Sequence, residues 1–300
     1  MVEVTCRTIQ GRFLLKPSRE LNSITIGVLG RAQRLYRVDI HAFVFLSNHY
    51  HLLVSVEDAL QLARFMNYLN SNLAREAGRL HRWREKFWGR RYQAIIVSNE
   101  DTAHIDRLRY VLSHGCKEGL VARPRDWPGA HSIDALLVGK PITGLWFNRT
   151  REYSARIRGE TPERLEYSTR EMVHLAPLPC WQHLSRGAYR RRVTGLVRQI
   201  ETETANHHSR EGTRPLGRKA LLDQDPHSRP ERIKRAAAPA FHAATKSVRN
   251  DLKAAYAWFL SAYREASERL RTGDSTANFP EGSFPPGLPF VGWEPGLAPG

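Results

Sequence analysis

The run Phe43–Val56, FVFLSNHYHLLVSV, constrains the fold more than any other part of the chain. Two apolar stretches, Val38–Leu46 and His49–Val56, are split only by Ser47-Asn48. A break that short predicts an antiparallel hairpin. Side chains alternate along a strand, so His49 and His51 point to one face. Two neutral imidazoles side by side can hold one divalent cation. A chain with 13 histidines also produces His-x-His by chance, so the pair needs support from elsewhere.

The flanking sequence predicts an α+β fold. Val2–Leu15 has strand content interrupted by Gly11, and Ser18 to about Tyr36 reads as a helix weakened by Gly27 and Gly30. Ala59–Ala77 is a helix with Leu62, Phe65, Met66, Leu69 and Leu73 at steps of three and four. Tyr92–Val97 is a short strand and Asp101–Gly119 a helix ended by Gly119. This order suits a ferredoxin-like antiparallel sheet with helices on one face. The domain bearing these elements is expected over residues 1–135. From Pro124 the chain becomes loop-rich, and 136–300 is expected to be a mainly helical basic C-terminal extension. In it, Ser185 caps a helix to Glu203 with Arg190, Arg191, Arg192 and Arg198 on its polar side. A polar linker follows at about 205–235, where His207 and His208 read as incidental. Thr245–Leu270 is a helix, and a Pro/Gly-rich tail occupies about 279–300.

Composition narrows the function. A net charge of +16 and pI near 10.2 point to a polyanionic partner, with nucleic acid as the default. No stretch is apolar enough to span a bilayer, and the N-terminus lacks a signal peptide's pattern. Cys6, Cys116 and Cys180 are odd in number and widely spaced, which reads as reduced thiols in a cytoplasm.

On the helix at Asp101–Gly119, Ile105, Leu108, Val111 and Leu112 gather on one side at 100° per residue. Tyr110 lies on the other with Arg107, His114 and Lys117. Tyr110 and His114 are neighbours one turn apart. The group offers a phenolic nucleophile, a possible metal ligand and flanking positive charge; it would equally serve a tyrosine packed in a groove on the sheet. Phenol ionises near pH 10, so attack on a phosphodiester needs a cation to polarise the phosphate. No general base is evident. Arg79, Arg82, Arg84, Lys86, Arg90 and Arg91 are interleaved with Trp83, Phe87, Trp88 and Tyr92, a pattern that can neutralise phosphates and stack on unpaired bases.

NHYHLLV resembles the His-hydrophobic-His motif of single-tyrosine HUH transposases, the insertion-sequence-200-like enzymes whose relatives include REP-associated tyrosine transposases. FWGRRYQAIIV at Phe87–Val97 is similar to the family's Trp-containing strand entry. YVLSHGCKEGLVARPRDWPG at Tyr110–Gly129 is similar to its catalytic-helix signature. The resemblance implies that Tyr110 attacks single-stranded DNA to form a 5′-phosphotyrosine and a free 3′ hydroxyl. It implies His49 and His51 as ligands of Mg2+ or Mn2+. The position of His114 usually carries Asn or Gln as a third ligand, so His114 is expected there as an imidazole substitute. Three nitrogen donors favour Mn2+ or a later metal over Mg2+. Arg82, Arg84, Lys86, Arg90, Arg91, Arg107 and Lys117 are the expected DNA contacts, and single-stranded DNA or a DNA hairpin the expected partner. The alternative is a transposase-derived DNA-binding protein without cleavage. Monomer and homodimer stay open.

Overall fold

A computed structural model describes residues 1–161, 163–231 and 239–287. Strand β1 (Val2–Arg7) leads through a turn at Gly11 (φ +68°) into helix α1 (Arg19–Tyr36), whose Ser18 cap accepts from the Leu21 amide. Strands β2 (Asp39–Phe45) and β3 (His49–Ser55) form the expected hairpin, and helix α2 (Ala59–Leu80) is capped by Asp58. Strand β4 (Gln93–Val97) precedes helix α3 (Asp101–Lys117), which ends before Gly119 at φ +67°.

The crossing after Pro124, expected as loop, contains regular structure. It holds helix α4 (Ile133–Val138), strand β5 (Ile142–Phe147), helix α5 (Arg149–Ile157) and strand β6 (Ser168–Val173). The β5–β6 ribbon lies on α1 through two glycines. A Cβ at Gly27 would sit 2.2 Å from the Leu145 carbonyl carbon, and one at Gly144 would sit 2.1 Å from the Ser23 oxygen. The glycines that weaken α1 by propensity are thus what admits the ribbon.

Helix α6 runs Arg186–Glu211, two turns into the stretch expected as linker, and stops at Gly212 (φ +60°). Helix α7 (Arg218–Leu222) buries Leu221, strand β7 is Phe241–His242, and helix α8 is Lys246–Arg271 with a Thr245 cap. Residues 279–287 have no regular structure, as expected; the rest of the tail lies outside the described residues.

The main sheet has the order β2-β3-β1-β4-β7, antiparallel except for the parallel β4–β7 pair. Helices cover both faces. Tyr50, Leu52 and Val54 of β3 join Val4, Phe43 and Phe45 under α1 and α2. Leu53, Val44 and Val97 point the other way, against Leu108, Val111 and Leu112 of α3 and Val193, Val197 and Ile200 of α6. The apolar stripe of α3 has its own sheet face and α6 to fill, which places α3 opposite α1 and α2. Period-two alternation therefore sends His49 and His51 to the α3 side.

Candidate active site

In the register of the sheet, Thr5 faces His51 and Arg7 faces His49 across the β1–β3 pair. α3 lies over this polar end of the sheet and brings His114 down onto it. The ring of His114 is 4.1 Å from that of His51 and 5.0 Å from that of His49. One nitrogen from each of His49, His51 and His114 lies within 4.8 Å of the others. Tyr110 sits beside them, its ring 5.5 Å from His51 and 5.2 Å from His114. It is half-buried against the histidines, not on an outward surface of α3.

Hydrogen bonds fix where the imidazole lone pairs point. His49 Nδ1 meets Asn48 Oδ1 at 2.7 Å, while Asn48 Nδ2 donates to the Gly11 carbonyl at 3.1 Å. His51 Nδ1 meets Glu3 Oε1 at 2.8 Å. Both Nδ1 atoms face oxygen acceptors and so carry the protons, which leaves both Nε2 atoms bare. His114 Nε2 lies 2.8 Å from His49 Nε2 and must donate to it; His114 Nδ1 is then a buried nitrogen with no hydrogen-bond partner.

Electrostatics keep this group neutral. Burial, then the neighbouring His51 charge, pushes His114 down to about 2. Burial, then Arg7, pushes His51 down to about 3. His49 is held well below the ordinary histidine range, again chiefly by burial. Neutral imidazoles that each keep a bare nitrogen, Nε2 on His49 and His51 and Nδ1 on His114, are what a divalent cation requires. The three-imidazole donor set, with the orphaned His114 nitrogen in it, fits a divalent metal cation.

Around Tyr110 the charge is positive. The Arg107 guanidinium carbon lies 4.2 Å from the ring centroid and Lys117 Nζ 4.5 Å from it. Burial raises the phenol's pKa, and the Arg107 charge opposes that rise. Arg107 also pairs with Glu3, and its side chain is largely buried beside Tyr110. Lys117 is exposed at the edge. Arg82, Arg84, Lys86, Arg90 and Arg91 are all exposed on the segment between α2 and β4. That segment is tied to β1 by Gly89 N–H donating to the Arg7 carbonyl at 2.9 Å.

Sequence reasoning missed Glu3 and Arg7. Their signal is the alternation Glu3, Thr5, Arg7 between Val4 and Cys6, which marks a polar face on β1 beside the histidine face of β3. Arg7 is exposed next to the site and disfavours protonation of His49, His51 and His114.

Residues 18–113 match the family model of IS200-like transposases. Residues 18–113 are thus similar to that transposase family. The matched stretch contains His49, His51 and Tyr110 and ends one residue before His114. Among solved structures, a REP-associated tyrosine transposase bound to a REP hairpin aligns at 17% identity with a TM-score of 0.37. That alignment covers 44% of this chain and 74% of that one. A candidate transposase from Deinococcus radiodurans R1 aligns at 16% identity with a TM-score of 0.28, over 36% of this chain and 85% of that one. No curated protein sequence matches. Among the described residues no helix is long and apolar enough to cross a membrane.

Proposed function

We propose that this protein is a transposase that cleaves and rejoins single-stranded DNA through Tyr110, with a divalent cation held by His49, His51 and His114 and a DNA hairpin as the recognised partner. The observation that carries the reading is a phenol set 5.2–5.5 Å, ring to ring, from a group of neutral, converging imidazoles. A bound Mn2+ or Mg2+ would supply Lewis-acid polarisation of the phosphate.

The chain's own residues do the rest. Asn48 and Glu3 fix the tautomers of His49 and His51. Arg107 and Lys117 hold positive charge over the Tyr110 ring, where the phenol becomes negative as it loses its proton. In the step itself the Tyr110 oxygen bonds to phosphorus and the bond from phosphorus to O3′ breaks. The phenolic proton passes through water to the departing O3′. The product is still a phosphodiester, with the bond to O3′ exchanged for one to the Tyr110 oxygen, so the reverse attack by a 3′ hydroxyl rejoins DNA without a nucleotide cofactor.

One observation favours a second reading. The 2.8 Å contact between His49 and His114 closes the site on itself, as in a DNA-binding protein that no longer cleaves. An adduct assay separates the two. Labelled hairpins drawn from the DNA flanking the gene are incubated with the protein and Mn2+ or Mg2+, then denatured. A covalent protein–DNA band that disappears in Tyr110→Phe, while hairpin binding stays, supports cleavage. Tight binding with no band in either metal supports the second reading.

A further inference from the structure

The groove that α3 and α6 form at Tyr110 lies on one face of the main sheet. A second cavity, of about 460 Å3, lies on the other face, where Trp88 packs on Tyr50 beside α2. α2 lines it with Arg64 and Asn70, and the segment entering β4 lines it with Trp88, Arg91 and Tyr92. Phe284, from the stretch after α8 and far outside the family match, completes the lining. The volume lies within the range of about 300–1,000 Å3 typical of pockets for small organic groups.

The inner groups are fixed and the outer ones are accessible. Tyr50 Oη donates to Asn70 Oδ1 at 2.6 Å, and Trp88 Nε1 donates to the Asn70 carbonyl at 2.9 Å. The first bond sets which way the amide is turned and leaves Nδ2 as a donor, with no acceptor for it among the described residues. The Trp88 ring is held edge-on by Tyr50 and Phe87. Phe284 is different, because its side chain is free to meet a ligand: the residue is 42% exposed. Its backbone is anchored to α8, where Tyr263 Oη donates to the Phe284 carbonyl at 3.1 Å and the Tyr263 ring packs on Phe279. The exposed Arg91 guanidinium lies 6.0 Å from the Phe284 ring centroid and 5.8 Å from that of Tyr92. Arg64 is exposed as well. An accessible flat ring, two cations at the mouth and an oriented amide donor match an unpaired nucleotide. The ring meets the π-face of its base, the amide meets a carbonyl oxygen or ring nitrogen of the base, and the cations meet its phosphates.

We propose that this cavity takes one unpaired nucleobase of the recognised DNA, stacked on Phe284, with an acceptor edge toward Asn70 and the adjoining phosphates against Arg64 and Arg91. It lies across the sheet from Tyr110, so it reads the DNA away from the cut, and the C-terminal tail supplies the stacking ring. The inference rests on the proposed DNA partner.

The test uses the full chain carrying Tyr110→Phe, which separates binding from cleavage. Labelled hairpins with single-stranded flanks, drawn from the DNA flanking the gene, each carry an abasic site at one unpaired position. Removing one particular base should weaken binding about fivefold or more, the usual worth of base stacking. Phe284 is exposed on a stretch without regular structure, so Phe284→Ala leaves the fold intact. In that variant the same abasic position should cost less than about twofold, while the other positions keep their parental effects. Phe284→Tyr should restore the dependence and Phe284→Leu should not. A ring neutralises no phosphate, so the log–log salt slope of Phe284→Ala should match the parent's. A lower slope would mean that the tail merely holds the arginines in place, and would overturn the base site. Full restoration by Phe284→Leu would overturn it too. Tight binding with no abasic position that depends on Phe284 sinks the cavity alone. No binding of any hairpin or single strand sinks the DNA partner and the cavity with it. A Phe284-dependent position without adducts in the chain bearing Tyr110 sinks the cleavage chemistry and leaves the cavity standing.

Discussion

Glu3 offers the sharpest test of how the site is held. It is fully buried, accepts from His51 Nδ1 at 2.8 Å and pairs through its other oxygen with Arg107. Glu3→Gln keeps the shape and an acceptor for His51 but removes the charge. Two costs follow. Arg107, whose side chain is only 11% exposed, loses its buried counter-ion, a change that typically destabilises by about 3–5 kcal/mol. His51 loses a carboxylate that raises its basicity and fixes its ring, a loss typically worth about 10–100-fold in metal affinity, or roughly 1.4–2.7 kcal/mol. Urea unfolding measures the first, and titration of Mn2+ followed by the signal of the free ion measures the second. Glu3→Gln should unfold at clearly lower urea and bind Mn2+ at least tenfold more weakly. A variant that binds Mn2+ within about twofold of the parent, with stability changed by less than about 0.5 kcal/mol, would refute the view that Glu3 orients the histidine and balances Arg107.

Other expectations can be checked directly. Gly27→Ala puts a methyl group 2.2 Å from the Leu145 carbonyl carbon, and overpacking of this kind costs about 1–3 kcal/mol; urea unfolding at parental stability would mean the β5–β6 ribbon does not rest on α1 there. His131 accepts from the Ile133 amide at 3.2 Å, and burial pushes it down to about 4. Between that value and its unfolded pKa near 6.5, the unfolded chain binds the extra proton, so stability is complete above pH 6.5 and falls with pH below it. The loss is about 1.4 kcal/mol per unit, and unfolding of His131→Gln across this range should show a correspondingly shallower decline than the parent; parallel curves would rule the effect out. Replacing Arg82, Arg84, Arg90 and Arg91 with Gln should weaken single-stranded DNA binding and reduce the log–log salt slope by about 0.7 for each phosphate no longer neutralised. An unchanged slope places the DNA elsewhere.

The histidine pair and its hairpin were legible because the signal is local: two apolar runs, a break of two residues and a period of two. The helices at Ser18 and Ser185 were legible for the same reason, since capping is decided within one turn. What escaped depends on contacts distant in sequence. Gly27 and Gly30 read as flaws in a helix because nothing nearby shows the β5–β6 strands that rest on them. On α3 the helical period shows that Tyr110, Arg107, His114 and Lys117 share a side. It does not show that this side is turned to the sheet, because α6, which packs against α3 and lines the Tyr110 groove with it, lies far along the chain at Arg186–Glu211. Glu3 was hidden by its charge: an isolated acid in a strand reads as solvated until the arginine that neutralises it is known.

That same pairing bears on the meaning of His114. A ligand position drifting without function needs only to be tolerated, and its neighbours have no reason to stay aligned. Here they are aligned. Asn48 and Glu3 each occupy the far nitrogen of one strand histidine, turning both near nitrogens toward the centre. His114 arrives between them from another element with a buried nitrogen to spare. Burying these imidazoles without charge costs the fold stability at every pH below about 6.5. On the proposed reading a cation held by all three would use that neutral form, in which each imidazole keeps one N–H and offers its other nitrogen. On that reading, this arrangement makes His114 the third imidazole of a divalent-cation site.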